Sequence, residues 1–164
     1  MRLRFLKNDE FQFLTCLKDG TLVSSSEFLE DCQVGEFIVF VVDKTIAGLA
    51  KVSGEFYSPI NHVGENNLSS FCIPLKFTHA FHNKNRLKFQ EKFPASLISA
   101  WGSNYERENH VQKPIHEDFA KAIINTISIN KNDLSGIRAH IEQYLDRAKM
   151  NRDSFLIQIA IQLS

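Results

Sequence analysis

The hydrophobic pattern is densest in two short runs that face each other across a polar pair. FIVFVV, residues 37–42, is apolar at every position, and TIAGLAKV, residues 45–52, follows after Asp43-Lys44 and is interrupted by Gly48. This spacing predicts a tight antiparallel hairpin within residues 34–57. An arm apolar on both faces belongs at the centre of a sheet with other elements packed on each side. Small residues at Ala47, Gly48 and Ala50 leave space for another backbone, a packed helix or a ligand to come close.

Around this hairpin the chain predicts further elements. Residues 2–7 alternate charges with Leu3 and Phe5 as an edge strand would. Asn8 or Asp9 then caps a short helix with Phe11, Leu14 and Leu17 at helical spacing, stopped by Asp19-Gly20. Thr21 to Val23 is a brief strand, and Ser25 or Ser26 caps a helical turn over residues 27–32. SPINHVGENNLSS, residues 58–70, is a loop. A strand runs from Phe71 to Phe81, and Pro74 in it argues for a sheet edge or a bulge. Asn83-Lys84-Asn85 is a turn, and Pro94 opens a short helix ending at Trp101-Gly102.

Pro114 opens a longer helix with Ile115, Phe119, Ala122, Ile123 and Ile127 on its apolar face. A second begins at Asp133 with Ile137, Ile141, Tyr144, Leu145 and Ala148 inward. The end, SFLIQIAIQLS, fits a strand or a helix, and so apolar a segment must pack on this domain, a second copy or another domain. Strands with interspersed helices make the fold class α+β.

Composition narrows the function. The 164 residues carry a formal net charge of zero, so nucleic-acid binding has to come from a local patch. Cys16, Cys32 and Cys72 are odd in number and unpaired in spacing, which reads as reduced core thiols in a cytoplasmic protein. No run is long enough for a membrane span.

Catalytic signatures are missing: the chain holds no phosphate-binding Gly-rich loop, G-x-S-x-G, H-E-x-x-H or paired Cys-x-x-Cys. His79 and His82 in THAFH have ligand-like spacing, but no nearby carboxylate or cysteine pair completes a metal site. Neither a cofactor nor a metal is expected, nor an enzyme. A small hydrolase or nuclease using His79 or His82 ranks last, because no third group orients the histidine.

Aromatic residues beside polar groups carry more. Trp101 next to SNYERENH, with Tyr105 and Arg107 nearby, can stack on an unstacked base or anchor the core. Phe56 and Tyr57 have the same two readings.

The order VGEFIVFVV, TIAGLAKVSGEFY, FCIPLKF and WGSNYERENHVQKPIHEDFAKAI, preceded by LRFLKNDEFQFLTCLKDGTLVSS, resembles the EVE and YTH group of PUA-like domains over residues 1–128. The resemblance implies a curved mixed sheet or small β-barrel of five or six strands flanked by helices. It would occupy residues 1–130, with residues 131–164 a helical or mixed extension packing on the domain or on a partner. It also implies a reader of nucleic acid carrying a modified base, as in the specificity module of a modification-dependent restriction system. Lys7, Asn8 and Asp9 match the family's loop after the first strand, and residues 104–107 match its phosphate- and base-contacting loop. Where YTH domains carry cage tryptophans this chain has Val23 to Ser25, and no tryptophan in residues 57–70.

The expectation is a non-catalytic reader that flips a methylated base into a pocket, in DNA more than RNA. Trp101, Tyr105, Tyr57 and Phe56 would stack. Asn8, Asp9, Asn104 and Ser24 to Ser26 would meet the base edge, and Lys7, Arg107, Lys113 and Lys76 the phosphates. The alternative is an assembly module that docks another domain or subunit through residues 151–164.

Overall fold

Gln12 lies three residues after Asp9, and that spacing fixes the first turn of the molecule. The Asp9 carboxylate accepts from the Gln12 N–H at 2.7 Å while Gln12 Oε1 accepts from the Asp9 N–H at 2.9 Å, a reciprocal cap. Helix α1 (Glu10–Asp19) starts there and ends on Gly20, whose φ of 65° supplies the left-handed stop. The computed structural model describes residues 1–24, 31–57, 71–88 and 114–163. The helical turn expected over 27–32 lies mostly outside them. So do the 58–70 loop, the helix expected after Pro94, and the polar segment 103–113.

Strand β1 (Leu3–Lys7) precedes α1, and β2 (Thr21–Ser24) follows it. The hairpin is β3 (Phe37–Val42) and β4 (Thr45–Val52), turned by Asp43 and Lys44, both at positive φ as a two-residue loop matching strand twist requires. Strand β5 (Phe71–Ala80) leads through a 3₁₀ turn (Asn83–Asn85) to the short β6 (Leu87–Lys88). The sheet order is β1-β3-β4-β5-β2, with β6 on the start of β4. β1 runs parallel to β3, and the other pairs are antiparallel. Irregularities between Phe40 and Val41, and between Leu49 and Ala50, bend the sheet into a half-barrel.

Both faces of β3 are covered, as its unbroken apolar run requires. On one face Ile38, Phe40 and Val42 pack with Phe13, Leu14 and Leu17 of α1, and with Ile137, Leu145 and Ala148 from the C-terminal helices. On the other, Val39 and Val41 join Leu3, Phe5 and Phe81 beneath helix α2 (Glu117–Ser128). The space left by Gly48 belongs to a helix and not to a ligand. A Cβ there would stand 2.9 Å from Cε1 of Phe13 and 2.9 Å from the His79 carbonyl oxygen.

Several sequence expectations shift. Pro74 sits in an interior strand, between β4 and β2, but β4 ends at Val52 just before reaching it. The missing N–H therefore falls where the β4 ladder has already stopped, and only the Pro74 carbonyl is used, by Ser53 N–H at 2.9 Å. Helix α2 begins at Glu117, capped by His116, because Ile115 is held extended by its N–H bond to Leu3 O at 3.0 Å. Its buried face is consequently Ala120, Ile123 and Ile127, and Ala122 faces solvent.

The helix expected from Asp133 is two helices, α3 (Leu134–Ala139) and α4 (Ile141–Leu163), interrupted at His140. The ambiguous terminus is helical. It is the end of α4, with Phe155, Leu156, Ile157, Ile161 and Leu163 exposed. Arg152, stacked 4.3 Å over the Phe11 ring, marks where α4 leaves α1.

Arg4 departs furthest from an edge-strand pattern. Its guanidinium is fully buried, with Nε 2.8 Å from the buried Glu36 carboxylate and Nη2 3.1 Å from Asp31. Burial alone would lower its pKa, but the Glu36 hydrogen bond and the surrounding negative charges raise it above the usual arginine value. Burial pushes the Cys16 thiol up to about 12 and Cys32 to about 11, which fits inert core thiols. No described helix is long and apolar enough to cross a membrane.

Candidate nucleic-acid interface

Where β1 ends, the Asn8 N–H bonds Val41 O at 2.9 Å and ties the loop before α1 to the end of β3. The neighbouring ends of β3 and β5 lie at the same level because both strands run parallel to β1. Lys7, Asn8 and Asp9 therefore meet Val42, Asp43 and residues 81–86 at one end of the sheet. Helices α3 and α4 close the far side with Ile137, Tyr144, Arg147 and Asn151. The result is a cleft of about 1100 Å³. Ligand sites ordinarily span roughly 300–1,000 Å³, so the cleft has room for one nucleotide.

Two polar joints hold the walls. Arg86 also lines the cleft, with its side chain nearly closed off. It grips the Glu10 carboxylate with both terminal nitrogens, at 2.5 and 2.8 Å, donates to Phe81 O at 3.0 Å, and rests 5.5 Å over the Phe13 ring. Such a fork-to-carboxylate pair fixes direction as well as distance. The second joint is Asp133, whose carboxylate accepts from His82 N–H and from Asn85 Nδ2, each at 3.0 Å. Burial would raise the Asp133 pKa, but these two bonds prevail and hold it below the usual carboxylate value. With its carboxylate used in this way, Asp133 does not cap α3. Asn132 Oδ1 accepts from Leu134 N–H instead, at 3.2 Å.

The chemistry of the cleft is divided. Tyr144 and His82 meet edge to face, with centroids 5.7 Å apart, and offer an aromatic wall. Lys84 and Arg147 are exposed at the cleft. Asp9, Asn8 and Asp43 bring acceptors to it. His79 is turned elsewhere, with Nδ1 2.9 Å from Thr78 Oγ1, and burial lowers its pKa. Among the described residues, no group of three or more His, Cys, Asp or Glu could hold a metal ion.

The sequence-predicted residues fall into separate groups. Lys7, Asn8 and Asp9 line the cleft. Phe56 and Tyr57 are 40% and 47% exposed at the opposite end of β5, where Tyr57 bridges Cys72 and Phe56 meets Phe71 edge to face. Ser24 pairs with Phe71 at that same end. The nine positions from Cys72 to Phe81 span ~30 Å of extended strand, so these residues and the Asn8 loop do not share a pocket. Lys76 points to solvent from β5. Ser25, Ser26, Trp101, Asn104, Tyr105, Arg107 and Lys113 lie outside the described residues.

Sequence reasoning did not place His82, Lys84, Arg86, Tyr144 and Arg147 in one site. Two signals were present. The polar run HNKNR follows directly on an apolar strand, and Tyr144, Arg147, Ala148 and Asn151 recur at helical spacing on one face.

A curled, mixed sheet flanked by helices on both faces is the PUA-like fold. No family model and no curated protein matches the chain. Solved structures do. A hypothetical protein from Leishmania major superposes with a TM-score of 0.58 at 18% identity, over 78% of this chain and 95% of that one. The Pho92 YTH domain in complex with m6A gives 0.52 at 12%, over 80% and 86%. Human THYN1 in complex with DNA containing 5-methylcytosine gives 0.51 at 16%, over 76% and 97%.

Proposed function

We propose that this protein is a non-catalytic reader of nucleic acid, taking one methylated base, flipped out of its stack, into the cleft beside Lys7-Asn8-Asp9. The observation that carries the reading is the cleft itself: nucleotide-sized, and lined by an aromatic pair, exposed cations and side-chain acceptors. The shared fold supports it, since two structures with that fold hold a methylated base or DNA containing one. Extruding a base costs a few kcal/mol, and stacking contributes ~1–3 kcal/mol per base, so an aromatic wall with a few hydrogen bonds balances the extrusion. DNA is the favoured polymer. A module that recognises the base without cutting also suits the specificity part of a modification-dependent restriction system.

With a zero net charge, binding has to come from a local patch, and the exposed cations lining the cleft supply one. Lys84→Glu with Arg147→Glu is expected to weaken binding of methylated oligonucleotides by roughly tenfold or more and to flatten its salt dependence. Fluorescence anisotropy at several salt concentrations measures both. Unchanged affinity and slope would refute this placement of the phosphates.

One observation favours a second reading, an assembly module. The last turns of α4 expose Phe155, Leu156, Ile157, Ile161 and Leu163 with no charged residue among them. On this reading a second copy covers them. Light scattering is then expected to show a dimer that becomes monomeric in Ile157→Glu/Ile161→Glu. A monomer at all concentrations in the unaltered protein removes the reading.

A further inference from the structure

One row across the sheet changes character from end to end. Leu3 of β1 pairs with Phe37 of β3, Phe37 with Lys51 of β4, and Lys51 with Lys76 of β5, so the four side chains stand in line on one face. It is the face that α2 covers at Val39, Val41 and Leu49. Leu3 is fully buried and Phe37 half-buried, whereas both lysines are exposed.

Like charges directly opposite each other destabilise a strand pair. Lys51 and Lys76 form such a pair, and among the described residues neither ammonium has a carboxylate within ion-pair distance. Lys51 Nζ instead lies 5.4 Å from the centroid of the Phe37 ring. A lysine on a strand often guards an open edge, but β4 and β5 are interior strands with partners on both sides. Two cations set against each other at a cost to the fold are accounted for by an anion from outside the chain. In a chain of zero net charge they also make a local basic patch.

We infer that Lys51 and Lys76 form a second phosphate-binding point, outside the cleft, for nucleic acid that extends past the recognised base. The inference rests on the reader function proposed above and adds a contact to it. Lys76 stands six positions before His82, which lines the cleft, and that is roughly 20 Å of extended chain. Phosphates of one duplex strand rise ~3.4 Å apart along the axis, so the backbone comes to the lysines up to about six nucleotides from the base in the cleft.

The test uses the whole chain and methylated DNA oligonucleotides of about five and about twenty nucleotides, the modified base central, of which only the longer reaches the lysines. Lys76→Glu turns the like-charged pair into an opposite-charged one. It is expected to raise the urea midpoint while weakening binding of the long oligonucleotide roughly tenfold, and to leave the short one bound as before. In Lys51→Gln/Lys76→Gln the slope of log affinity against log salt should fall by about two for the long oligonucleotide, one for each lost phosphate contact. A pair with a structural role alone would not move stability and affinity in opposite directions. Unchanged binding and slope with the long oligonucleotide overturn the inference and leave the reader function standing. So does an equal loss with the short one, which would place the effect in the cleft. A Lys76→Glu midpoint no higher than the parent's overturns it too, since the pairing would then carry no cost. Failure of both oligonucleotides to bind the unaltered protein overturns the reader function, and the inference with it.

Discussion

Glu36→Ala is expected to lower the unfolding free energy by about 3–5 kcal/mol, the usual result of removing one member of a buried ion pair. Arg4 is fully enclosed and Glu36 nearly so, with Nε and Oε2 2.8 Å apart. Removing the carboxylate takes the Nε partner from an enclosed guanidinium that cannot deprotonate. Among the described residues, the exposed Asp31 carboxylate and the Asp31 carbonyl oxygen both meet Nη2, at 3.1 and 3.2 Å. A stable domain has ~5–15 kcal/mol in total, so the variant should be largely destabilised, with a urea midpoint far below that of the parent. Replacing both Arg4 and Glu36 by leucine or methionine should recover much of the loss, because the enclosed guanidinium then goes together with its carboxylate. A Glu36→Ala midpoint within error of the parent would show that the pair is not buried as described.

The second large effect is expected at Gly48. A Cβ there meets the His79 backbone oxygen on one side and the Phe13 ring on the other, each at 2.9 Å. Phe13 can turn only so far, since it is enclosed by Phe40 and Phe77 at 5.6 and 6.1 Å. Gly48→Val is therefore expected to cost about 1–3 kcal/mol, at the upper end because one obstruction is backbone. The loss should reach the cleft too. The displaced ring is the seat of Arg86, and Arg86 holds Glu10 and Phe81 O, all of which line the cleft. Denaturant midpoint and oligonucleotide affinity should fall together in Gly48→Val. Normal stability would show that the sheet gives way at β5 without cost.

What could be read from the sequence was what short range decides. The α1 cap is written in Asp9 and Gln12 and its end in Gly20, and the two-residue turn at Asp43-Lys44 follows from the apolar runs around it. The sandwiching of β3 was legible because six apolar positions in succession leave no face for water. The order of elements was enough to suggest the PUA-like architecture. The cleft was legible in part. Lys7, Asn8 and Asp9 are contiguous, but their partners come from residues 81–86 and 137–151, brought in by helix packing that no local pattern announces. The buried side of Arg4 was hidden for the same reason. Alternation assigns Arg4 and Leu6 to one face of β1 and does not say that helices cover both faces.

β1 stands at the end of the described sheet, the position at which a further chain would add on. A stranger strand would have to displace Ile115, whose N–H already occupies the outward carbonyl of Leu3, and to draw up against a strand pinned from within by a buried guanidinium. An inward charge on a margin strand is one of the ways folded proteins resist growing into fibrils. The Arg4–Glu36 pair thus stands directly behind a margin that Ile115 covers from outside, and so helps to keep that margin closed to its own kind.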